Sequence, residues 1–336
     1  MNWNRRSVAV VLGLWLALAS GGEVALASRG LNTMTAQQDA AQLVPSPRAG
    51  FAMTYDSSRD LVVLFGGMGE DQQGLADTWV WDGAGWRQID GEGPSPRRYP
   101  CMTFDSRRNV IVLFGGWSEG NVPLGDTWEF DGQNWKEIDV AGPPARFISA
   151  MAYDANRGKA VLFGGRGKKR QLLGDLWEWD GETWNEIPVV GPYARAGHSM
   201  LYDESRGTVM VIGGFTKAAL NDAWEFDGKM WTQVQSSKVP ARHEFVAVYD
   251  PENDRVLAFG GAGRGRQLND TWIWSRDTWN MGPSHAPIAR SLHGGVYRPG
   301  HGFLIFGGES GAASGEKTYH NDMWMFDGRR WNPGWE

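Results

Sequence analysis

The 336-residue sequence holds a single cysteine, Cys101. One thiol excludes an intramolecular disulfide and a thiolate zinc site. An excess of positive charge is also lacking: 33 Lys and Arg against 39 Asp and Glu leave a net charge of −6. General affinity for nucleic acid needs a basic field, so no nucleic-acid partner is expected. The apolar stretch Ser7–Ala19, SVAVVLGLWLALA, stops at 13 residues, short of the roughly 20 that span a bilayer. No Ser–His–Asp or HExxH pattern is visible, and no glycine-rich loop leads into a helix signal. Those absences remove the hydrolase, zinc-protease and phosphate-cradle readings.

The apolar stretch follows a basic start, MNWNRR, and precedes two small-x-small sites at Ala17–Ala19 and Ala25–Ala27. This is the layout of a secretory signal peptide. Residues 1–27 are therefore expected to be a signal, cleaved near 19 or 27. The mature chain is expected to be exported, periplasmic or secreted, with no stable membrane insertion and as a monomer. Arg5 and Arg6 suggest twin-arginine export, but the SVA that follows fits that signal poorly. Residues 28–44 form an N-terminal segment and a candidate extra closing strand; residues 45–336 form the domain.

What is abundant is glycine, tryptophan and proline, at 46, 19 and 16 residues. Gly and Pro punctuate turns, and Trp suits a half-buried pleated surface. Glycine pairs close apolar runs at Gly66, Gly115, Gly164, Gly213, Gly260 and Gly307, spaced by 49, 49, 49, 47 and 47 residues. After each pair come two tryptophans seven apart, beginning with Trp79–Trp86 and ending with Trp324–Trp331. An Asp stands two before the first Trp each time: Asp77, Asp126, Asp175, Asp222, Asp270 and Asp322. An Arg stands seven before a Tyr or Phe each time: Arg48, Arg97, Arg146, Arg195, Arg242 and Arg290.

Six units in register are a repeat architecture. Each reads as four short strands, such as RAGFAMTYD, DLVVLFGG, DTWVWD and, after an Asp-Gly turn, GWRQI. One sheet of this length cannot bury both faces alone. Six stacked around an axis do so. The expected fold is all-β: a six-bladed propeller with four antiparallel strands per blade. The tryptophans are read as wedges between blades and strands. The glycine pairs are read as close backbone approaches and turns with positive φ. The repeated Asp is expected to accept hydrogen bonds from loop backbone. A calcium role would need a dense run of oxygen ligands, which is missing, and no metal or other cofactor is expected.

The double glycine after VVLF, VLF or MVI, the paired tryptophans and openings such as ARAGHSMLYD resemble the kelch-repeat family. The resemblance extends over Pro45–Trp331. It is similar to the galactose-oxidase central domain, of an exported bacterial type. It implies the propeller strongly and the activity weakly. In a kelch-type blade the first strand lines the central channel. Counting from the repeat Arg, positions +2, +4 and +6 are then expected to face the axis, and +5 and +7 to lie between blades. The Arg shares parity with the axial set, so six guanidiniums are expected to ring one mouth. They bind either an anionic ligand or carbonyls of a neighbouring blade.

The loops after the glycine pairs rim the same mouth. They carry Trp117, a candidate stacking residue, the basic run Arg166, Lys168, Lys169 and Arg170, Phe215, and Tyr319 and His320. Tyr99 and Glu244 stand at +2, and Glu244 is the candidate catalytic group, with a salt bridge to Arg242 or a neighbouring Arg as its structural alternative. His198 and His293 stand at +3 and are read as core histidines. The chain is read as a binding module for a protein or an acidic glycan, its ligand an anionic glycan, envelope polymer or peptide. The ligand-binding set is Arg48, Arg97, Arg146, Arg195, Arg242, Arg290, Tyr99, Trp117, Arg166 and Phe215. The alternative is an enzyme similar to sialic-acid mutarotases, a sugar epimerase acting on an acidic sugar. A copper oxidase is disfavoured, because Cys101 has no identifiable Tyr partner.

Overall fold

A computed structural model describes residues 43–234, 239–275, 277–311 and 315–334. The expected signal peptide lies outside the described residues, as does the candidate closing strand up to residue 42. No helix occurs among the described residues. Six antiparallel sheets of four or five strands follow one another along the chain, five of them with strand order equal to chain order, beside two two-stranded ribbons, Ala262–Gly263 with Arg266–Gln267 and Glu309–Ser310 with Thr318–Tyr319.

The first strands, from the axis outward of each blade, are Ala52–Asp56, Cys101–Asp105, Ala150–Asp154, Ser199–Asp203, Val246–Asp250 and Gly294–Arg298. Each packs against the first strand of the blade before and after it, the sixth against the first, so the ring is closed. The fourth, outermost strands are short, as in Trp86–Ile89 and Trp331–Pro333. Blade two departs from four strands. Its second strand, Val110–Ser118, is extended past a bulge at Phe114–Gly116 and also pairs with a two-residue strand, Arg97–Arg98.

The faces of each sheet meet neighbouring blades. Phe51, Met53 and Tyr55 pack toward blade six, with Val296, Leu304 and Phe306. Ala52 packs toward blade two, with Met102, Phe104 and Leu113. Alternate residues of a first strand thus point to the preceding and the following blade. This corrects the expectation for position +4, which points into a junction rather than to the axis; the +2 residues, such as Gly50 and Glu244, do line a cavity on the axis. In blade one the ends of the first strand, Ala52 and Asp56, are buried, and its middle, residues 53–55, is partly exposed in a cup on the axis.

Tryptophans of the fourth strand wedge these junctions. The indole N–H groups of Trp135, Trp184 and Trp331 donate to Thr78, Thr127 and Thr271 of the preceding blade, at 2.8, 2.9 and 2.8 Å. Ring closure uses the same contact types as every other junction. Arg48 N donates to His320 O at 3.0 Å, Gly308 N to Arg48 O at 2.8 Å, and Phe51 and Phe306 meet edge to face at 5.8 Å. Pro333 sits in the outermost strand of blade six, paired with Trp324, where a missing N–H toward solvent costs nothing.

Candidate functional site

The six repeat arginines are interior residues. All are 0–1% exposed. Each grips the Asp before the third strand of its own blade with both Nη atoms, as in Arg48–Asp77, where both bonds are 2.7 Å. Nη1 also donates to the first glycine of the pair, at 3.1 Å for Gly66 O, and Nε to the residue two before, at 3.0 Å for Ser46 O. The pattern recurs in Arg97–Asp126, Arg146–Asp175, Arg195–Asp222, Arg242–Asp270 and Arg290–Asp322. The Asp in turn accepts the indole N–H of the following Trp, at 2.6 Å in Asp77–Trp79.

Three expectations are corrected here. Arg48, Arg97, Arg146, Arg195, Arg242 and Arg290 do not crown the opening, because the residue lies outside the strand whose parity was applied to it. They bond their own blade rather than a neighbour. The Asp serves the Arg and Trp side chains rather than loop backbone. Burial drives each carboxyl upward, but its guanidinium outweighs that and holds it below the ordinary range.

The glycine pair follows from this clasp. At Gly164 (φ +65°) a Cβ would lie 2.7 Å from Arg195 O, and at Gly165 (φ +100°) 2.9 Å from the Ser149 Cβ. The second glycine donates to the carbonyl of the next repeat Arg, at 2.8 Å for Gly165 to Arg195. The Arg therefore joins its own blade by its side chain and the preceding one by its backbone.

Two residues beyond each Arg the backbone turns left-handed: Gly50, Tyr99, Ile148, Gly197, Glu244 and Leu292 have φ from 53° to 63°. Each N–H donates to the carbonyl of the equivalent residue one unit earlier, Tyr99 to Gly50 at 2.6 Å and Leu292 to Glu244 at 3.0 Å. Gly50 donates to Leu292 at 2.9 Å and closes a ring of hydrogen bonds around the axis. Their order, Gly–Tyr–Ile–Gly–Glu–Leu, is a pseudo-two-fold. The reason is steric: Tyr99 leans over Gly50, whose Cβ would meet it at 2.6 Å, and Glu244 leans over Gly197, with its Cγ at 3.3 Å. Left-handed non-glycine residues cost free energy and gather at functional sites. These six residues line a cavity of ≈ 150 Å³. At the other end of the axis Met53, Tyr55, Met102 and Phe104 help line a cup of ≈ 390 Å³.

Around the throat runs a rim in which the residue after each glycine pair faces the residue after each Arg: Arg98 faces Trp117, Phe147 faces Arg166, and Ser291 faces Glu309. On blades two to four this rim is a chain of rings and cations. The Arg170 guanidinium lies 5.3 Å from the Trp117 ring, Trp117 lies 4.4 Å from Phe147, Arg166 lies 4.6 Å from Phe215, and Phe215 lies 5.1 Å from His243. Trp117 is 5% exposed. With Phe147 and Arg170 against it, it is not the open stacking platform the sequence suggests. Phe215 and Tyr99 are half-buried. None of Arg98, Arg166 and Arg170 has a carboxylate partner among the described residues, and Arg166 Nε is buried with no acceptor.

Glu244 makes no side-chain hydrogen bond among the described residues; its nearest polar neighbour is His243 Nδ1 at 3.5 Å. The salt bridge to Arg242 does not form, because Arg242 is held by Asp270. Burial pushes the Tyr99 phenol up, reinforced by the charges of Glu244 and Glu309, so it stays a hydrogen-bond donor. Glu309, 5% exposed, takes Lys317 on Oε1 at 2.7 Å and leaves Oε2 without a partner. His198 and His293 are buried edge-on to Phe163 and Phe259 of the preceding blade, and burial, helped by Arg195 and Arg290, lowers both to about 3. Burial raises Cys101 to about 11, which leaves it an inert thiol. Among the described residues no group of three or more His, Cys, Asp or Glu converges to hold a metal ion.

Sequence reasoning passed over Arg98, Phe147 and Glu309. Their signal was present: one position after every Arg and one after every glycine pair is a template slot, and these residues fill it.

The fold and its clasps define a six-bladed β-propeller built from an Arg–Asp–Trp repeat. A family model described as the KLHDC2/KLHL20/DRC7 Kelch-repeats domain matches residues 28–185 and 149–333. The chain belongs to this kelch-repeat family. Among solved structures, that of YjhT is similar, at 16% identity and a TM-score of 0.67 over 86% of this chain and 98% of that one. At that identity the likeness concerns the fold. No curated protein matches the chain.

Proposed function

We propose that this propeller is an exported binding module that holds an anionic group, carried by a glycan, envelope polymer or peptide, on the Arg-rich rim of blades two to four. The observation that supports it is a contrast. The six repeat arginines are each held by an aspartate, whereas Arg98, Arg166 and Arg170 on the same face have no carboxylate, and Arg166 and Arg170 lie over aromatic rings. A guanidinium on a ring face is pre-ordered for an oxyanion. Export rests on the signal-like N-terminus. A kelch propeller is suited to interaction through its face loops. No helix among the described residues is long and apolar enough to cross a membrane.

The test is titration with glucuronate, galacturonate and sialic acid by calorimetry. Binding should weaken as salt rises to about 0.3 M, where charges are screened. An Arg166→Gln/Arg170→Gln variant should lose about tenfold in affinity at unchanged melting temperature. Salt-insensitive binding, no binding at low salt, or full affinity in the variant would overturn it.

A second reading is catalysis on an acidic sugar, with Glu244 as base. It is favoured by one fact: Glu244 is held at the throat by a left-handed backbone without a hydrogen-bonded partner for its carboxylate. NMR of anomeric exchange separates the two. Exchange that disappears in Glu244→Gln supports catalysis; binding without exchange rules it out.

A further inference from the structure

The mouth is not uniformly basic. On the rim of blades two to four Arg166 and Arg170 have no carboxylate among the described residues, and Arg98 donates only to Gln72 O and Asn121 Oδ1. Between blades five and six stand two carboxylates that are incompletely satisfied. Glu244 has no hydrogen bond, and the nearly buried Glu309 keeps an unpartnered Oε2. Their backbones are linked at the throat: Leu292 N bonds Glu244 O at 3.0 Å, and the residue before it, Ser291, pairs its backbone with Glu309. The basic and acidic sectors also adjoin. Phe215 Cδ1 and Glu244 Cγ both lie within 3.4 Å of the space beside Gly197, and Arg166 lies over the Phe215 ring at 4.6 Å. One small ligand can therefore reach from Arg166 across Phe215 to Glu244.

We infer that the ligand of this mouth is a zwitterion: its anionic group sits on Arg166 and its neighbours, and a free amine, as ammonium, sits on Glu244, which lines the throat. This rests on the anion-binding reading above and sharpens it. Lys317 on Glu309 Oε1, at 2.7 Å, shows the ammonium–carboxylate pairing that Glu244 lacks. An amine donates up to three charge-assisted hydrogen bonds. An N-acylated nitrogen carries no charge and one donor, and leaves the Glu244 carboxylate unfilled. Acylation is therefore the discriminating chemistry, whether the amine comes from an amino sugar or from a peptide.

The experiment compares matched pairs on the full chain by calorimetry: muramic acid against N-acetylmuramic acid, glucosamine 6-phosphate against N-acetylglucosamine 6-phosphate, and Ala-Glu against N-acetyl-Ala-Glu. The free amine should bind about tenfold tighter in at least one pair, and the pair that responds tells sugar from peptide. Glu244→Gln should remove that margin; Glu309→Gln, at a carboxylate already held by Lys317, should keep it, with melting temperature recorded for both. Equal or tighter binding of every N-acyl partner, or a margin that survives Glu244→Gln, overturns the zwitterion and leaves the anion site standing. Binding by no probe overturns both. The wild-type pairs decide the matter even if a variant fails to fold.

Discussion

Arg146 and Asp175 form a two-armed ion pair, Nη1–Oδ1 at 2.9 Å and Nη2–Oδ2 at 2.6 Å, joining the segment before the first strand of blade three to the segment before its third. Arg146 is fully buried and Asp175 keeps about a fifth of its side chain in solvent. Removing one partner strands the other. Arg146→Ala should lower unfolding free energy by about 3 kcal/mol, near the low end for buried pairs because the carboxylate is partly wet. Arg146→Lys should recover only part, since an ammonium cannot fork. Urea unfolding measures both, and a wild-type midpoint for Arg146→Ala would count against the clasp.

Acid should unfold the protein in two stages. His198 and His293 sit at about 3 in the fold and near 6.5 unfolded. Between those values the unfolded chain binds more protons. Stability is thus complete above about pH 6.5 and is lost as pH falls toward 3, by about 2 kcal/mol per histidine at pH 5. The clasp aspartates, lowered from 3.8, add their loss only below that value. Phe51 and Phe245 occupy the equivalent +3 position in other units. His198→Phe/His293→Phe should therefore flatten the melting temperature between pH 6.5 and 4; an unchanged slope would place the acid sensitivity elsewhere.

Gly50 lies under Tyr99. Gly50→Ala adds a left-handed penalty of about 1–2 kcal/mol and a steric one, because the new Cβ falls 2.6 Å from Tyr99 Cε1. In a Tyr99→Ala background only the backbone part should remain. A double-mutant cycle reads the difference, and strict additivity would show that the two residues do not press on one another.

Thr127 receives the buried indole N–H of Trp184 across a blade junction at 2.9 Å. Thr127→Val keeps the shape and removes the acceptor. A cost of about 1–2 kcal/mol is expected, with the indole fluorescence shifted on native protein. No change in either would make the bond incidental.

Much of this molecule was legible from its repeat. Blade number, strand order, the turns at Asp-Gly and the junction role of the tryptophans follow from patterns that recur six times, so a weak local signal is read repeatedly. His198 and His293 were legible too, because each stands immediately before a first strand, Ser199–Asp203 and Gly294–Arg298, near enough for its alternation to set their direction. The arginines were not. Arg48 and its equivalents lie before the strand, where alternation no longer sets direction, and their partners stand 27 to 32 residues away. The rim was half legible: loop composition pointed to Arg166 and Phe215, while the burial of Trp117 depended on which ring and cation folded over it.

By itself the sequence determined the architecture, since an apolar, Trp-rich sheet repeated in register can bury both faces only by stacking into a wheel. Tertiary structure alone decided which charges are used up. Two arginines with the same chemistry differ in what they leave open when one closes on an aspartate and the other does not, and that choice depends on distances between residues far apart in the chain.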